Sequence, residues 1–226
     1  MSVLIKICGL STPAALDTAL DSGADMVGFV FFAPSPRHLD LDAMRVLGER
    51  VRGRAAKVAL TVDATDDELV AIMAALQPDL LQLHGRETPA RVATVKASFG
   101  RPVMKALPIE TASDLAAISA YAKIADRLLF DARAPREATR PGGLGKPFDW
   151  RLLENVDPAL SFMLSGGLDA SNVADALAIT RAPAVDVSSG VERAPGEKDV
   201  DKIRAFIRTA RAAAERLDRA HVASGA

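Results

Sequence analysis

A repeated alternation of short apolar runs and helical segments is the feature that most constrains the fold. Eight runs rich in branched or aliphatic residues recur along the chain: "LIKIC", "MVGFVF", "KVALTV", "LLQLHG", "PVMKAL", "RLLFDA", "SFMLSGG" and "AVDVSSG". Segments with helical spacing lie between them, such as "TPAALDTALDSG", "LDAMRVLGERV", "TDDELVAIMAAL", "TPARVATVKASFG" and "TASDLAAISAYA". Runs that are apolar throughout are typical of parallel strands covered on both faces. The pattern therefore predicts repeated β-α-β units with right-handed crossovers.

Several of the helical segments carry recognisable ends. Thr12 followed by Pro13 is typical of an N-cap and a first helical residue, and Gly23 stands where a left-handed C-cap glycine is expected. Thr65 precedes three acidic residues, which favour the positive end of a helix dipole. These signals predict helices that begin at residues 13 and 66.

Repeated β-α-β units can form either an open doubly wound sheet or a closed barrel. An open nucleotide-binding sheet would carry a Gly-x-Gly-x-x-Gly turn after its first strand, and "CGLSTPAA" lacks it. Eight units in 226 residues suit a barrel, which commonly needs about 250 residues. No linker or composition break divides the chain. We therefore predict an α/β fold, a single (β/α)8 TIM barrel over residues 1–226, with a frayed C-terminal tail from about residue 217.

Composition excludes several classes of function. The formal net charge is −1, from 28 Lys plus Arg against 29 Asp plus Glu, so no overall field favours nucleic acid. One cysteine cannot form an internal disulfide, and no Cys/His spacing indicates a metal site. No signal-peptide pattern or run of about 18 apolar residues is present. We expect a cytoplasmic protein without nucleic-acid or membrane partners.

Polar residues collect where the strands end. In a (β/α)8 barrel the active site lies at the carboxyl ends of the strands. The predicted ends carry Lys6, Cys8, the "APSPRHL" loop with Arg37, Asp63, Gln82, His84, Lys105, Asp131, "SGG" and Asp186 with "SSG". Each residue alone has an ordinary structural explanation: a buried thiol, a loop cap, a core histidine or a solvated arginine. Their convergence on one rim indicates a site.

Glycine and serine follow the seventh and eighth predicted strands. Glycine lets the backbone approach an anion, while N–H groups at a helix N-terminus point towards it. Barrels often hold phosphate at these two loops. We predict that the phosphate-binding residues are Gly166, Gly167, Ser188, Ser189 and Gly190. The long loop "DARAPREATRPGGLGKPFDW" after the sixth strand is predicted to be a lid.

These motifs resemble those of the phosphoribosylanthranilate isomerase family. The resemblance rests on "KICGL", "GFVFFAPSPRHL", "LQLHG", "LLFDA" leading into "GGLGKPFDW", "LSGGL" with Asn172, "VDVSSGVE" and "PGEKD", in this order from the first strand to the last helix. One departure is Leu144, where family members often have threonine, and it concerns the lid rather than the chemistry.

The resemblance implies an Amadori rearrangement in tryptophan biosynthesis. N-(5-phosphoribosyl)anthranilate would become 1-(2-carboxyphenylamino)-1-deoxyribulose 5-phosphate, without a cofactor or a metal. Cys8 would be the general base and Asp131 the general acid. Arg37 would meet the anthranilate carboxylate, His84 would line the site, and we expect Asp186 to bind substrate with them. The partner would be a small phosphosugar, and the chain would be a monomer or a homodimer.

The chemistry requires two proton-transfer groups in different environments. An acid must protonate the ribose ring oxygen, and a base must take the proton from the neighbouring carbon. Cys8 needs positive potential to form a thiolate, and Lys6 lies on the same strand face. Asp131 must keep a proton near neutral pH, which favours an apolar setting such as the preceding "LLF".

Three alternatives remain open from the residues. Indole-glycerol-phosphate synthase would be expected to have lysine and glutamate where Cys8 and Asp131 stand. A non-catalytic phosphosugar-binding barrel would not need the acid and the base. A thiol redox sensor acting through a disulfide would need a second cysteine.

Overall fold

Eight parallel strands close into one barrel. The computed structural model describes residues 3–134, 142, 147–157 and 159–224, with side chains to residue 220. The barrel strands follow chain order, and the first pairs with the last. Their bounds are β1 Leu4–Cys8, β2 Met26–Phe31, β3 Ala56–Thr61, β4 Leu80–Leu83, β5 Val103–Ile109, β6 Arg127–Ala132, β7 Phe162–Leu164 and β8 Ala184–Val187. The predicted (β/α)8 fold is confirmed.

Helices follow most of the strands. Their bounds are α1 Pro13–Asp21, α2 Leu41–Val51, α3 Asp66–Leu76, α4 Pro89–Phe99, α5 Ile118–Tyr121, α6 Val173–Thr180 and α7 Val200–Ser224. Short 3₁₀ helices cover Ala112–Ala117, Trp150–Leu153 and Ser189–Val191. None of the helices in the described residues is both long enough and apolar enough to cross a membrane.

The predicted helix ends at the start of the chain are confirmed. The Thr12 hydroxyl accepts from the Ala15 amide at 3.3 Å, and Pro13 is the first residue of α1. Gly23 follows the helix with φ +85°, a conformation that costs glycine little. Thr65 and Glu68 form a reciprocal capping box at α3.

Two helical segments differ from the sequence prediction. The "TASDLAAISAYA" segment forms a 3₁₀ helix followed by the short α5 rather than one α-helix. The Asp114 side chain accepts from the amides of Glu110 and Thr111, at 3.0 and 2.9 Å, and this tight turn competes with regular α-helical bonding. The tail was expected to fray from about residue 217, and in the structure α7 extends as helix to Ser224.

Side chains alternate between the barrel interior and the layer under the helices. On β1, Ile5 and Ile7 are fully buried in the main cluster between the barrel and the helices. Leu4 instead packs on the interior cluster of Val58, Met104, Leu129 and other residues, and Cys8 lies in a separate cluster with Val30 and Leu60. This period of two places Leu4, Lys6 and Cys8 on the inner face, as predicted.

A small hairpin follows β8 and lies outside the eightfold repeat. Its strands are β9 Glu192–Ala194 and β10 Glu197–Lys198, paired antiparallel. The turn contains Gly196, with φ +85°, and a Cβ there would collide with the Pro36 carbonyl. The hairpin therefore packs closely against the loop after β2, beside the rim where the predicted site lies.

Candidate active site

Cys8 ends β1 in a space that glycine leaves open. The residue is 3% exposed. Gly28 is its neighbour on β2, and a Cβ there would lie 3.0 Å from Cys8 Sγ and 3.2 Å from Lys6 Cε. Gly9, with φ +74°, follows directly, and a Cβ there would lie 2.5 Å from Arg37 Cδ. Glycines on both sides thus let Lys6 and Arg37 pack beside the thiol.

Burial and charge act on the Cys8 thiol in opposite directions. Burial raises the pKa of Cys8, Lys6 lowers it, Asp186 raises it and Lys198 lowers it, and the net result lies above the ordinary value. The predicted help from Lys6 is present, but it does not outweigh burial in this structure. Burial thus opposes ionisation of the thiol, and the positive charges of Lys6 and Lys198 reduce the cost of ionising it.

Lys6 and Asp186 form a buried ion pair across the closure of the barrel. Lys6 Nζ lies 2.8 Å from Asp186 Oδ1, and the Ser165 hydroxyl lies 3.1 Å from Asp186 Oδ2. Burial lowers the pKa of Lys6, but Asp186 and Cys8 raise it above its ordinary value, so the side chain is an ammonium. Asp186 is 4% exposed at the inner rim. The pair fixes a positive charge on the inner face next to Cys8.

Asp131, His84 and Gln82 form a chain of hydrogen bonds on the rim. His84 Nε2 is 3.1 Å from Asp131 Oδ2, and Gln82 Nε2 is 2.9 Å from His84 Nδ1. An amide nitrogen only donates, so His84 Nδ1 accepts and its Nε2–H donates to Asp131. Asp131 is 5% exposed, and the setting expected to be apolar holds a histidine at hydrogen-bond distance from the carboxyl. The arrangement suits a carboxyl that exchanges a proton under the control of a histidine.

Gly142, in the segment after β6, lies close to this pair. A Cβ at Gly142 would collide with Asp131 Oδ2 and would lie 2.9 Å from His84 Nε2. Glycine at this position therefore leaves room for both side chains. Leu144, the departure noted in this loop, lies outside the described residues, as does most of the predicted lid.

The predicted phosphate loops meet after β7 and β8. Gly166 and Gly167 have φ +87° and +67°, and a Cβ at Gly166 would collide with the Ala132 amide nitrogen next to Asp131. A Cβ at Gly190 would collide with the Leu168 carbonyl, so the two loops are in contact. The structure thus brings the predicted phosphate loop against the strand that carries Asp131.

Main-chain amides in these loops are available for an anion. Within the described part of the chain, the amides of Gly166, Gly167, Ser189 and Gly190 donate to no protein acceptor. Asn172, at the start of α6, donates to the Gly167 carbonyl at 2.9 Å and fixes the loop. N–H groups of this kind at helix N-termini bind phosphate.

Arg37 is not a solvated surface charge. It is 4% exposed. Its Nε lies 2.7 Å from Glu192 Oε1, and its Nη2 lies 2.7 Å from Glu192 Oε2. Lys198 Nζ lies 2.7 Å from the same carboxylate. Burial raises the pKa of Glu192, but Arg37 and Lys198 bring it below its ordinary value, so the group is a carboxylate.

Sequence reasoning assigned no role to Glu192 and Lys198. Both belong to "VDVSSGVE" and "PGEKD", which were used only as signs of the family. The available signal was that Glu192 and Lys198 flank a Pro-Gly turn next to the predicted phosphate loop. Their pairing with Arg37 could not be read from spacing.

Comparisons with known proteins agree on one family. The family model described as "N-(5'phosphoribosyl)anthranilate (PRA) isomerase" matches residues 5–209. Relatives of that name from Nitrobacter hamburgensis and Bradyrhizobium diazoefficiens are each 67% identical, over 94% of this chain and 95% of theirs. The solved phosphoribosylanthranilate isomerase from Thermotoga maritima has a TM-score of 0.83 and 33% identity, over 93% of this chain and 99% of that one.

These matches favour the isomerase over the three alternatives left open by the residues. The family model covers residues 5–209, which include nearly all of the barrel. The chain belongs to the phosphoribosylanthranilate isomerase family, and it is an enzyme that isomerises N-(5'-phosphoribosyl)anthranilate in tryptophan biosynthesis.

Proposed function

We propose that Cys8 is the general base and Asp131 the general acid of this isomerisation. The observation that carries the proposal is the pairing of each group with a partner suited to its role. Cys8 has the Lys6 ammonium beside it on the inner face, and Asp131 has His84 within hydrogen-bond distance. Acid–base catalysis of this kind contributes about 10²–10⁴-fold to a rate.

The first step is ring opening. Asp131 gives its proton to the ribose ring oxygen, the C–O bond breaks, and an iminium forms at the anthranilate nitrogen. Asp131 Oδ2 accepts from His84 Nε2–H, so the catalytic proton is carried by the other carboxyl oxygen and can face the ring oxygen. Gln82 Nε2 donates to His84 Nδ1 and keeps the histidine in this tautomer.

The second step is proton removal from the neighbouring carbon. The Cys8 thiolate takes this proton, the electron pair neutralises the iminium, and the resulting enol tautomerises to the ketose. Lys6 offsets the negative charge of the thiolate in a buried setting. Asp186 holds Lys6 in place with its own carboxylate and is proposed to bind substrate at the inner rim.

Substrate binding is proposed at two ends of the rim. The loops with Gly166, Gly167, Ser188, Ser189 and Gly190 would hold the phosphate dianion through main-chain amides. Arg37 would meet the anthranilate carboxylate, and His84 would line the space between. One solved relative, 30% identical, is described in complex with reduced 1-(o-carboxyphenylamino)-1-deoxyribulose 5-phosphate. That compound carries a carboxylate at one end and a phosphate at the other, the two groups that the proposed sites would bind.

A direct assay tests the residue roles. Loss of fluorescence of freshly generated phosphoribosylanthranilate is followed with the native chain, Cys8→Ala, Asp131→Asn and the control Asp63→Asn. Asp63 is a carboxylate at the end of β3, with 43% of its side chain exposed. We expect turnover to disappear in the first two variants and to survive in the control. Equal loss in all three would reject the assignment of the acid.

The location and the assembly of the chain are also proposals. The lone cysteine favours a reducing compartment, and we infer a cytoplasmic enzyme. Monomer and homodimer both remain predictions, and a solved relative from Thermotoga maritima is described as dimeric. Sedimentation velocity of the native chain over a range of concentrations distinguishes the two states.

A further inference from the structure

The β9–β10 hairpin connects the two anion-binding ends of the site. Lys198 in β10 is the central residue, with 1% of its side chain exposed. Its ammonium donates to the Ser188 carbonyl at 2.9 Å, to the Ser188 hydroxyl at 3.3 Å and to Glu192 Oε1 at 2.7 Å. An ammonium has three N–H donors, and each of them finds an acceptor here. Lys198 therefore links the phosphate loop to the carboxylate that holds Arg37.

The cluster of Arg37, Glu192 and Lys198 carries an excess of positive charge. Glu192 receives both Nε and Nη2 of Arg37, a bidentate pairing that compensates one cation with one anion. Lys198 shares this carboxylate with Arg37, so the three side chains together carry one net positive charge. Burial lowers the pKa of Lys198 below its ordinary value, although Glu192 and Cys8 raise it, and Lys198 in turn lowers the pKa of Cys8.

Other charged side chains also face Cys8. Lys6 on its own strand and Asp186 on β8 act on the thiol and pair with each other at 2.8 Å, and Arg37 packs over Gly9 beside it. On the side of β2 and β3 the neighbours Val30 and Leu60 are apolar. Lys6 pairs with Asp186, and Arg37 and Lys198 share Glu192, so these three cations face two carboxylates and Lys198 adds net positive charge near the thiol.

We propose that Lys198 is a positioning residue with two effects: its charge stabilises the Cys8 thiolate, and its hydrogen bonds hold the Ser188 loop in the shape that receives phosphate. The first effect concerns the base and the second the anion site, so the inference deepens the proposed function and rests on it. Burying a cation costs folding free energy unless the cation is paired. The fold alone therefore gives no reason for an enclosed lysine at this hairpin.

The first experiment measures thiol ionisation without substrate. Cys8 is the only cysteine, so the far-ultraviolet thiolate absorbance of each protein minus that of its Cys8→Ser counterpart gives the titration of one group. The single tyrosine cancels in the difference. We expect Lys198→Met to move the midpoint upwards by about one pH unit, and Lys198→Arg to move it by less than half of that.

Two further variants serve as controls. Lys96→Met removes the same charge at the other end of the barrel, where Lys96 pairs with Asp126 before β6, and it should leave the midpoint unchanged. Lys198→Gln keeps amide donors for Ser188 and Glu192 but removes the charge, and it replaces Lys198→Met if that variant does not fold. Unchanged midpoints in folded Lys198→Met or Lys198→Gln would overturn the inference. Failure of both to fold, beside a folded Lys198→Arg, would show a purely structural role and would also overturn it.

The second experiment measures the anion site. Inorganic phosphate is titrated into the native chain and into the folded variants by calorimetry. We expect at least a tenfold loss of phosphate affinity in Lys198→Met and no change in Lys96→Met. Equal affinity for inorganic phosphate in Lys198→Met and the native chain would show that Lys198 does not shape the Ser188 loop for phosphate.

Failure of the inference can be told apart from failure of the proposed function. If native enzyme turns substrate over and Cys8→Ala does not, the proposed function stands whatever Lys198 does. If Cys8→Ala retains turnover, the base assignment fails, although the thiol titration still reports the charge of Lys198. In active enzyme, the alkaline shift should appear in the pH profile of kcat/KM for Lys198→Met and be largely restored by Lys198→Arg.

Discussion

Replacing Glu87 by glutamine tests a buried ion pair beneath the rim loop that carries His84. Glu87 and Lys105 each expose 3% of their side chains, and Lys105 Nζ lies 2.9 Å from Glu87 Oε2. The Glu87 carboxylate also accepts from the main-chain amides of Asp63 and Gly85, each at 2.9 Å. One carboxylate thus holds two neighbouring loops at the ends of β3 and β4.

The expected cost follows from these contacts. Burial raises the pKa of Glu87, but Lys105 and the main-chain amides outweigh it and keep the pKa below its ordinary value. Breaking one side of a buried ion pair costs about 3–5 kcal/mol. Lys105 keeps two carbonyl acceptors, Leu83 at 3.3 Å and Gly85 at 2.7 Å, and Gln keeps the shape of the side chain. We therefore expect a loss near the lower end, about 3 kcal/mol of unfolding free energy.

The same contacts fix the dependence on pH. A carboxyl whose pKa is lowered by folding contributes stability that is fully present above its unfolded pKa and is lost as pH falls through the folded value. The difference in stability between native protein and Glu87→Gln should therefore be constant at neutral pH and should shrink below about pH 4.

Urea unfolding followed by circular dichroism measures both effects. The matched control is Glu197→Gln, which breaks the exposed pair of Arg193 and Glu197, with side chains 71% and 58% exposed. This control should cost less than about 1 kcal/mol. A Glu87→Gln protein within about 1 kcal/mol of native at neutral pH, with the same slope against urea, would refute the reasoning about the buried pair.

Four substitutions test the proposed site by steady-state kinetics. Cys8→Ala should lower kcat by at least about 10²-fold while a product analogue still binds, and near-normal kcat would remove Cys8 from the mechanism. Asp131→Asn should lower kcat similarly because an amide cannot give up the catalytic proton, and more than about a tenth of native kcat would contradict the acid role. Arg37→Lys should raise KM because a single ammonium replaces a guanidinium fork, and an unchanged KM would exclude contact with the substrate carboxylate. Gly167→Val should raise KM sharply and lower kcat in a folded protein, because φ at this position is +67° and the side chain would enter the phosphate space. Normal KM together with native inhibition by inorganic phosphate would show that the phosphate binds elsewhere.

Local patterns predicted the barrel well because its elements depend on nearby residues. The "MVGFVF" and "RLLFDA" runs coincide with β2 and β6, and "LDAMRVLGERV" coincides with α2. Strand faces follow a period of two, and helix ends follow capping groups such as Thr65 and Glu68. The segment at residues 111–122 was mispredicted because the Asp114 side chain competes for main-chain amides, which an α-helical spacing does not reveal.

Long-range pairs limit what the sequence reveals about the site. The strand-end rule indicated Cys8, Asp131 and His84, because each follows an apolar run. The partner of Arg37 lies 155 positions further along the chain, in a hairpin outside the repeat. No spacing rule connects them. The pKa of Cys8 is likewise raised by burial and modified by Lys6, Asp186 and Lys198, which only the three-dimensional arrangement brings together.

Barrel closure and the proposed chemistry both depend on the register of β1 against β8. The pairing of β1 with β8 places Lys6 opposite Asp186, and the same alternation places Cys8 on the inner face. A slip of one residue would turn the inner side chains of β1 outwards and replace the buried ammonium by an apolar group. The ion pair therefore specifies the closing register, because a buried charge without its partner would cost several kcal/mol. Since the same ion pair lies beside the thiol, a sequence that closes this barrel correctly also sets the charge around its proposed base.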